Sequence, residues 1–371
     1  MSEKPSRAYY IDNLRVLLTC LVVLVHLAVT YGAVGDWYYR DPQTSKLATL
    51  VLTVFTAITQ AFFMGFFFLI AGYFTPTSLA SKGLNRFLGD RILRFGIPLL
   101  FYTLVLNPVV VAIVRLNRFE GSYVELLLQH YGSMLGLGPM WFVLNLLLLT
   151  LAFAGVQRSR RMAVRHGPEA GPGIQATVVV AIALGVISFL VRIKFPIGYW
   201  TPGLHLMPAH EPQYLAFFAV GILAGERGWR GDLSPRLVRF WRLATPLAIL
   251  GAFVWFGVNQ PLDPSPPGGL NWRSFVFAMC EQTFAVGIVV LLLNRFGQRF
   301  NHQSSFGQAA ASDSYTVYII HPLVIVLLAL GLQGYALHPL AKFVLVAPVA
   351  LAACFGGAHL TRKLPFARRI L

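Results

Sequence analysis

Charge is scarce in this chain. Asp, Glu, Lys and Arg make up 12% of its 371 residues, about half the share of an ordinary soluble domain. With 56% hydrophobic residues and a mean hydropathy of +0.65, that shortage excludes a soluble globular protein and a disordered chain. Cysteine is nearly absent too. Cys20, Cys280 and Cys354 all lie inside apolar stretches, which excludes a disulfide-stapled secreted domain and leaves no spacing for a soft metal. Acidic residues are the rarest charges, 14 against 30 Lys and Arg, for a net charge of +16. No basic run is interleaved with aromatics outside the apolar segments, so no nucleic-acid partner is expected. Also missing are a Ser-centred nucleophile elbow, a P-loop, a Rossmann glycine pattern and HExxH. Their absence disfavours lipase-like, ATP-driven and metalloprotease chemistry. No internal repeat, low-complexity tract or separate soluble domain is visible.

What the sequence does have is apolar runs of about 20 residues, too long for the alternating segments of a barrel. The expectation is an all-α, polytopic integral membrane protein forming one domain over 1–371. Ten spans can be drawn, at roughly 14–34, 47–74, 95–114, 139–156, 175–192, 213–225, 244–260, 273–293, 314–332 and 340–360. Span 213–225 is short, and span 47–74 is long enough to tilt. If the N-terminus is cytoplasmic, 22 of the 30 Lys and Arg fall in inside segments, which matches an even number of spans with both termini in the cytoplasm. Lys4 and Arg7 precede the first apolar run as in a signal peptide. Asp12 and Arg15 interrupt that approach, however, and no small-residue cleavage site follows, so a retained first helix is expected. The one linker-like stretch is Gly167–Gly173. The outside loops are rich in Trp and Tyr, as in Asp36-Trp37-Tyr38-Tyr39 and Gly198-Tyr199-Trp200. They read either as an interfacial belt or as the mouth of a carbohydrate site.

Ionisable residues inside spans mark candidate sites. Arg15 and His26 lie eleven residues apart in the first span, which places both on one helix face about 16 Å apart along the axis. Each alone reads as a snorkelling Arg or a satisfied His; the shared face is what favours function. Arg91 and Arg94, beside the next apolar span, suit a phosphate-bearing ligand, the plain alternative being retention of positive charge on the inside. Glu281 sits mid-span beside Cys280 and Gln282 with no cation close in sequence, so a partner from another helix is expected. His321 precedes Pro322, whose missing N–H removes one helix hydrogen bond beside the imidazole. Two intramembrane histidines and a carboxylate, with cations at the inside rim, suit proton transfer from a hydroxyl. A proton-coupled transporter uses similar groups and stays open, as does a non-catalytic receptor or assembly factor.

Several elements resemble the membrane-bound acyltransferase 3 family, especially its branch that modifies osmoregulated periplasmic glucans. They are Tyr10-Ile11-Asp12-Asn13-Leu14-Arg15 followed after ten residues by His26, and Phe67-Phe68-Leu69-Ile70-Ala71-Gly72-Tyr73-Phe74. Arg91-Ile92-Leu93-Arg94, Met140-Trp141-Phe142 and Tyr318-Ile319-Ile320-His321-Pro322 complete the set. Ala71 departs from the pattern, since the family usually has Ser before this Gly; Gly72 keeps the close-packing role. The resemblance implies a ten-helix O-acyltransferase with no permanently bound cofactor and no metal. It would move an acetyl or succinyl group from cytoplasmic acyl-CoA to a hydroxyl of an extracytoplasmic glycan. Its home would be the inner membrane of a bacterium, with the lipid bilayer as surroundings. It also implies that Arg15 and His26 are the catalytic pair, that Arg91 and Arg94 hold the donor, and that Asp12, Tyr73, Trp141, Glu281 and His321 support the site. The family often carries a further esterase-like domain; with the sequence stopping at Leu371, the membrane unit is expected to work alone.

Overall fold

The computed structural model describes residues 8–116, 119–159, 171–203, 205–229, 231, 233–259 and 268–370. Lys4, Arg7, Arg160, Arg161, Arg165, Arg230 and the Gly167–Ala170 part of the linker-like stretch lie outside them. Every regular element among the described residues is helical. The chain runs through α1 (Tyr9–Thr30), α2 (Lys46–Gln60), α3 (Phe63–Lys82) and α4 (Leu84–Arg91). A π-helical turn at Ile92–Gly96, α5 (Ile97–Phe101), a second π turn at Tyr102–Leu106 and α6 (Asn107–Leu116) follow without a break. Then come α7 (Tyr123–Met134), α8 (Trp141–Ser159), α9 (Ile174–Lys194), α10 (Glu211–Glu226) and α11 (Pro235–Asn259). The series closes with α12 (Trp272–Arg299), α13 (Ser305–Gly331), α14 (Pro339–Thr361) and α15 (Ala367–Ile370).

Helical segments cover most of each of the ten expected spans, and the chain is a polytopic membrane protein. Among the described residues, nine stretches are long and apolar enough to cross a bilayer. The shortfall is α10, which has 16 residues against the ~20 that span a hydrocarbon core unaided. The long span expected at 47–74 is interrupted. Phe62, at φ −136° and ψ −30°, leaves the helix between α2 and α3, and the freed Ala61 carbonyl accepts from Gln213 Nε2 at 2.8 Å. An unmet carbonyl at membrane depth would be costly, and the Gln side chain meets it. Helix α7 lies outside the expected spans. Its start is a capping box in which Ser122 Oγ accepts from Glu125 N–H while the Glu125 carboxylate accepts from Ser122 N–H, a pattern readable in sequence.

The chain divides into two compact units. The first comprises the described parts of 1–14, 61–88 and 148–302; the second comprises 15–60, 89–147 and 303–371. In the first, α3 and α10 meet backbone to backbone. A Cβ on Gly72 would run into the Phe218 carbonyl, one on Gly221 into the Leu69 carbonyl, and one on Gly225 into the Tyr73 carbonyl. Gly221 and Gly225 are one turn apart, so the contact is the small-residue helix crossing that membrane proteins use where apolar burial supplies no net drive. In the second unit, α1, α2, α13 and α14 share a buried apolar core that includes Leu27, Tyr31, Leu52, Val317, Ile325, Val346 and Ala350. The segment after α1 is tied to that core. Asp41 N–H donates to the Thr30 carbonyl at 2.8 Å, and the Asp41 carboxylate accepts from Lys342 Nζ at 2.6 Å with both side chains fully buried.

Candidate active site

Helix α1 is unbroken from Arg15 to His26, so the expected rise of about 16 Å between them is kept. His26 emerges in the second unit beside two partners that local sequence does not announce as a set. Trp37 stacks on its imidazole with ring centres 3.9 Å apart and planes 19° from parallel. His321 lies 4.9 Å away centre to centre, its Nε2 3.1 Å from His26 Nδ1.

The proton positions follow from what each acceptor requires. Pro322 has no N–H, so the Tyr318 carbonyl four residues earlier lacks its helical donor. His321 Nδ1 sits 2.7 Å from that carbonyl. A carbonyl only accepts, so Nδ1 carries the proton and His321 Nε2 presents a lone pair. His26 Nδ1 then donates to it, and His26 Nε2 becomes the basic nitrogen. A proline in α13 thereby sets the tautomer of a histidine in α1.

Aromatic and amide groups hold the wall around this pair. Tyr38 O–H donates to Asn107 Oδ1 and is 2.8 Å from the Tyr102 hydroxyl. Asn107 Nδ2 in turn donates to the Met134 carbonyl at 2.6 Å. Burial pushes the Tyr38 hydroxyl up to about 12, so it remains a donor throughout the neutral range. Gly138, at φ +46°, leaves space that a side chain would close against the Tyr38 hydroxyl and Tyr102. The Gly138-Pro139 pair therefore has a steric reason beyond starting α8. Tyr318 O–H donates to the Pro139 carbonyl and its ring meets Phe142 at 5.7 Å. Trp141 packs edge-on to Phe142 in that same corner.

The Arg pair also belongs to the second unit. Arg94 is exposed and Arg91 half-buried, and the Arg91 guanidinium lies 5.5 Å over the Phe95 ring. Residues four apart are neighbours on a helix surface, which is why Arg91 covers Phe95. The Arg94 carbonyl accepts from Tyr315 O–H at 2.9 Å. Tyr315 precedes His321 by six residues on α13, about 9 Å along the axis.

The remaining expected site residues fall in the first unit. Asp12 lies in the first turn of α1, among neighbours that anchor it: Asn13 Nδ2 donates to the Phe300 and His302 carbonyls, and Tyr10 N–H donates to Asn301 Oδ1. Tyr73 O–H donates to the Trp229 carbonyl at 3.0 Å. Glu281 pairs with Arg192, Oε2 to Nη2 at 2.6 Å, with side-chain exposures of 8% and 0%. Gln282 Nε2 donates to Glu281 at 3.1 Å, Gln213 Nε2 donates to Gln282 at 2.9 Å, and Arg192 Nε donates to the Ala209 carbonyl at 3.1 Å. Desolvation, helped by Arg192 and opposed by Glu281, lowers nearby His210 to about 4, so the cluster is one charge-matched pair with a neutral imidazole beside it. Among the described residues, no group of His, Cys, Asp and Glu is arranged to hold a metal ion.

A helical membrane protein with a tautomer-fixed imidazole pair, one ring fully buried and the other partly so, beside an aromatic wall has the parts of a group-transfer enzyme. The chain belongs to the acyltransferase 3 family, whose acyltransferase domain matches residues 8–359. Proteins named glucans biosynthesis protein C from Salmonella paratyphi B and Salmonella dublin are each 24% identical to it over 332 residues, covering 86% of this chain and 83% of theirs. The protein of that name from Salmonella schwarzengrund is 25% identical over the same coverage. No solved structure matches the chain. The protein is thus a membrane acyltransferase with bacterial relatives.

Proposed function

We propose that this acyltransferase takes an acetyl or succinyl group from cytoplasmic acyl-CoA and transfers it to a hydroxyl of an extracytoplasmic glycan, with His26 as general base. The observation that carries this reading is the Tyr318 carbonyl–His321–His26 chain, which leaves the lone pair of the His26 imidazole on Nε2. As the acceptor oxygen bonds to the thioester carbon, its proton passes to that nitrogen. The C–S bond breaks, and the departing thiolate takes the proton from His26 and leaves as free thiol. Trp37 on the imidazole face favours the transient imidazolium through its π electrons. Arg91 and Arg94 bind the donor phosphates, with Arg15 on the shared α1 face. The span of about 16 Å from Arg15 to His26 accommodates the extended arm of coenzyme A. Both termini then lie in the cytoplasm, in a bacterial inner membrane, as the Lys and Arg distribution favours.

The test uses purified protein in nanodiscs, with acetyl-CoA and succinyl-CoA followed by free-thiol release. Loss of release in His26→Ala and weaker donor binding in Arg91→Ala support the reading. Failure of either donor to bind, even with glucan present, rejects the coenzyme A donor. Turnover that survives His26→Ala rejects the assigned base.

A further inference from the structure

The second unit contains a cavity of about 530 Å³ at the end of α1 remote from Arg15, within the ~300–1,000 Å³ of small-molecule sites. Trp37, Tyr38, Tyr39 and Arg40 form one wall, and Arg115 and His130 stand on another. Trp37 belongs both to this wall and to the His26 stack, so a single indole links the cavity to the basic imidazole.

Its lining has an unusual hydrogen-bond balance. Trp37 Nε1 and the Tyr39 hydroxyl are both buried without a hydrogen-bond partner among the described residues. Buried donors are ordinarily met, so two unmet ones in a single wall call for a partner. The cations are also uncompensated. Arg115 spends one N–H on Ser133 Oγ at 3.1 Å, and Arg40 donates to the Gly35 and Ala33 carbonyls at 3.4 and 3.0 Å. Among the described residues neither guanidinium pairs with a carboxylate. Each has five N–H groups, so both retain donors. Aromatic faces with unmet N–H and O–H donors fit a saccharide, while spare guanidinium donors fit an oxyanion.

We propose that this cavity is the acceptor subsite, and that the acceptor is a saccharide carrying a carboxylate or phosphate group held by Arg115 and Arg40. The inference rests on the acyltransferase reading above and adds the charge of the substrate. Trp37 and Tyr39 donate to sugar oxygens, which orients one hydroxyl toward His26 Nε2. Tyr38, locked by Asn107 and Tyr102, keeps the wall in place before the sugar arrives.

The test measures calorimetric binding to the full chain in nanodiscs without donor. The probes are a neutral glucose oligosaccharide, its 6-phosphate and its C6-carboxylate counterpart. Both charged sugars are expected to bind on the order of tenfold tighter than the neutral one at low salt, an advantage that shrinks as ionic strength rises. The ranking of phosphate against carboxylate tells which oxyanion the site takes. Arg115 is exposed and, among the described residues, its side chain is tied only to Ser133; Arg115→Gln should erase the advantage, and Arg115→Glu should reverse it. Trp37→Phe, which keeps a ring but loses the N–H, should weaken all three sugars alike. Equal binding of neutral and charged sugars overturns the proposal, as does a charge preference that survives in both Arg115 variants. Thiol release, measured separately, keeps the two readings apart. His26-dependent release with charge-blind sugar binding overturns only the subsite, whereas charge-selective binding without release from any donor supports the subsite and overturns the donor assignment.

Discussion

In the first unit, Glu281 faces Arg192 at 2.6 Å, and the surrounding bonds run through Gln282 and Gln213 to the Ala61 carbonyl. In the second, His26 faces a second imidazole and an indole, and the chain of donors ends on a nitrogen lone pair. Both clusters put ionisable groups where the bilayer makes them expensive. The first balances charge against charge and terminates on backbone, which holds helices together. The second is neutral and leaves one basic atom and two unmet donors, on residues Trp37 and Tyr39 that line a cavity, which leaves something for a substrate to do. An intramembrane charge is therefore informative only together with what surrounds it.

The contrast can be broken most sharply at His26. His26→Ala should lower turnover by about 10²–10⁴-fold, the usual contribution of a general base, while leaving the unfolding transition near that of the parent. Thiol release and denaturation on the same sample read both, and a destabilised variant that keeps its turnover would dissolve the distinction. Glu281→Ala should do the reverse. Leaving Arg192 buried and unmatched costs about 3–5 kcal/mol, seen as a lower denaturant midpoint, and replacing both residues by Met should recover most of it. A loss of turnover in that well-folded double variant would show that the first cluster does more than hold helices.

Removing the imidazole that orients His26 is the next largest change. His321→Ala should reduce kcat by up to about a hundredfold, with little change in KM and an altered pH profile. His321→Gln, whose amide oxygen can accept from His26 Nδ1, should retain more. Identical pH profiles in all three proteins would reduce His321 to a packing residue. Gly225→Ala should destabilise the first unit by about 1–3 kcal/mol, because the added methyl meets the Tyr73 backbone and cannot be relieved by a rotamer change. Pro322→Ala should have the smallest effect, under about tenfold on kcat. It returns a backbone N–H that competes with His321 for the Tyr318 carbonyl without removing either imidazole.

Much of the second cluster was partly legible. The Arg15–His26 spacing is fixed by helix geometry alone, and the dipeptide His321-Pro322 announces a freed carbonyl. Which group takes that carbonyl depends on the His321 rotamer, and no pattern in the chain ties Trp37 to His26. Gly72 signals a close crossing, but its partners, Gly221 and Gly225, are identified only by the packing of α10. The Glu281 partner was harder still. Arg192 reads as a span-end residue in the sequence, whereas the structure buries it at 0% exposure. The interruption at Phe62 lies inside a continuous apolar run, so hydropathy carries no sign of it.

The sequence by itself determined that this chain lives in a membrane as a bundle of helices, because hydrocarbon leaves backbone groups no partner but each other and the apolar runs have the length to satisfy that. It also determined the separation of Arg15 from His26, since one helix fixes the rise per residue. Only the tertiary structure decided that His321 and Trp37 meet His26, that Arg192 meets Glu281, and that the Trp37–Arg40 segment walls a cavity. Those pairings join distant parts of the chain, and they depend on how helix faces pack once every span is already apolar enough to insert.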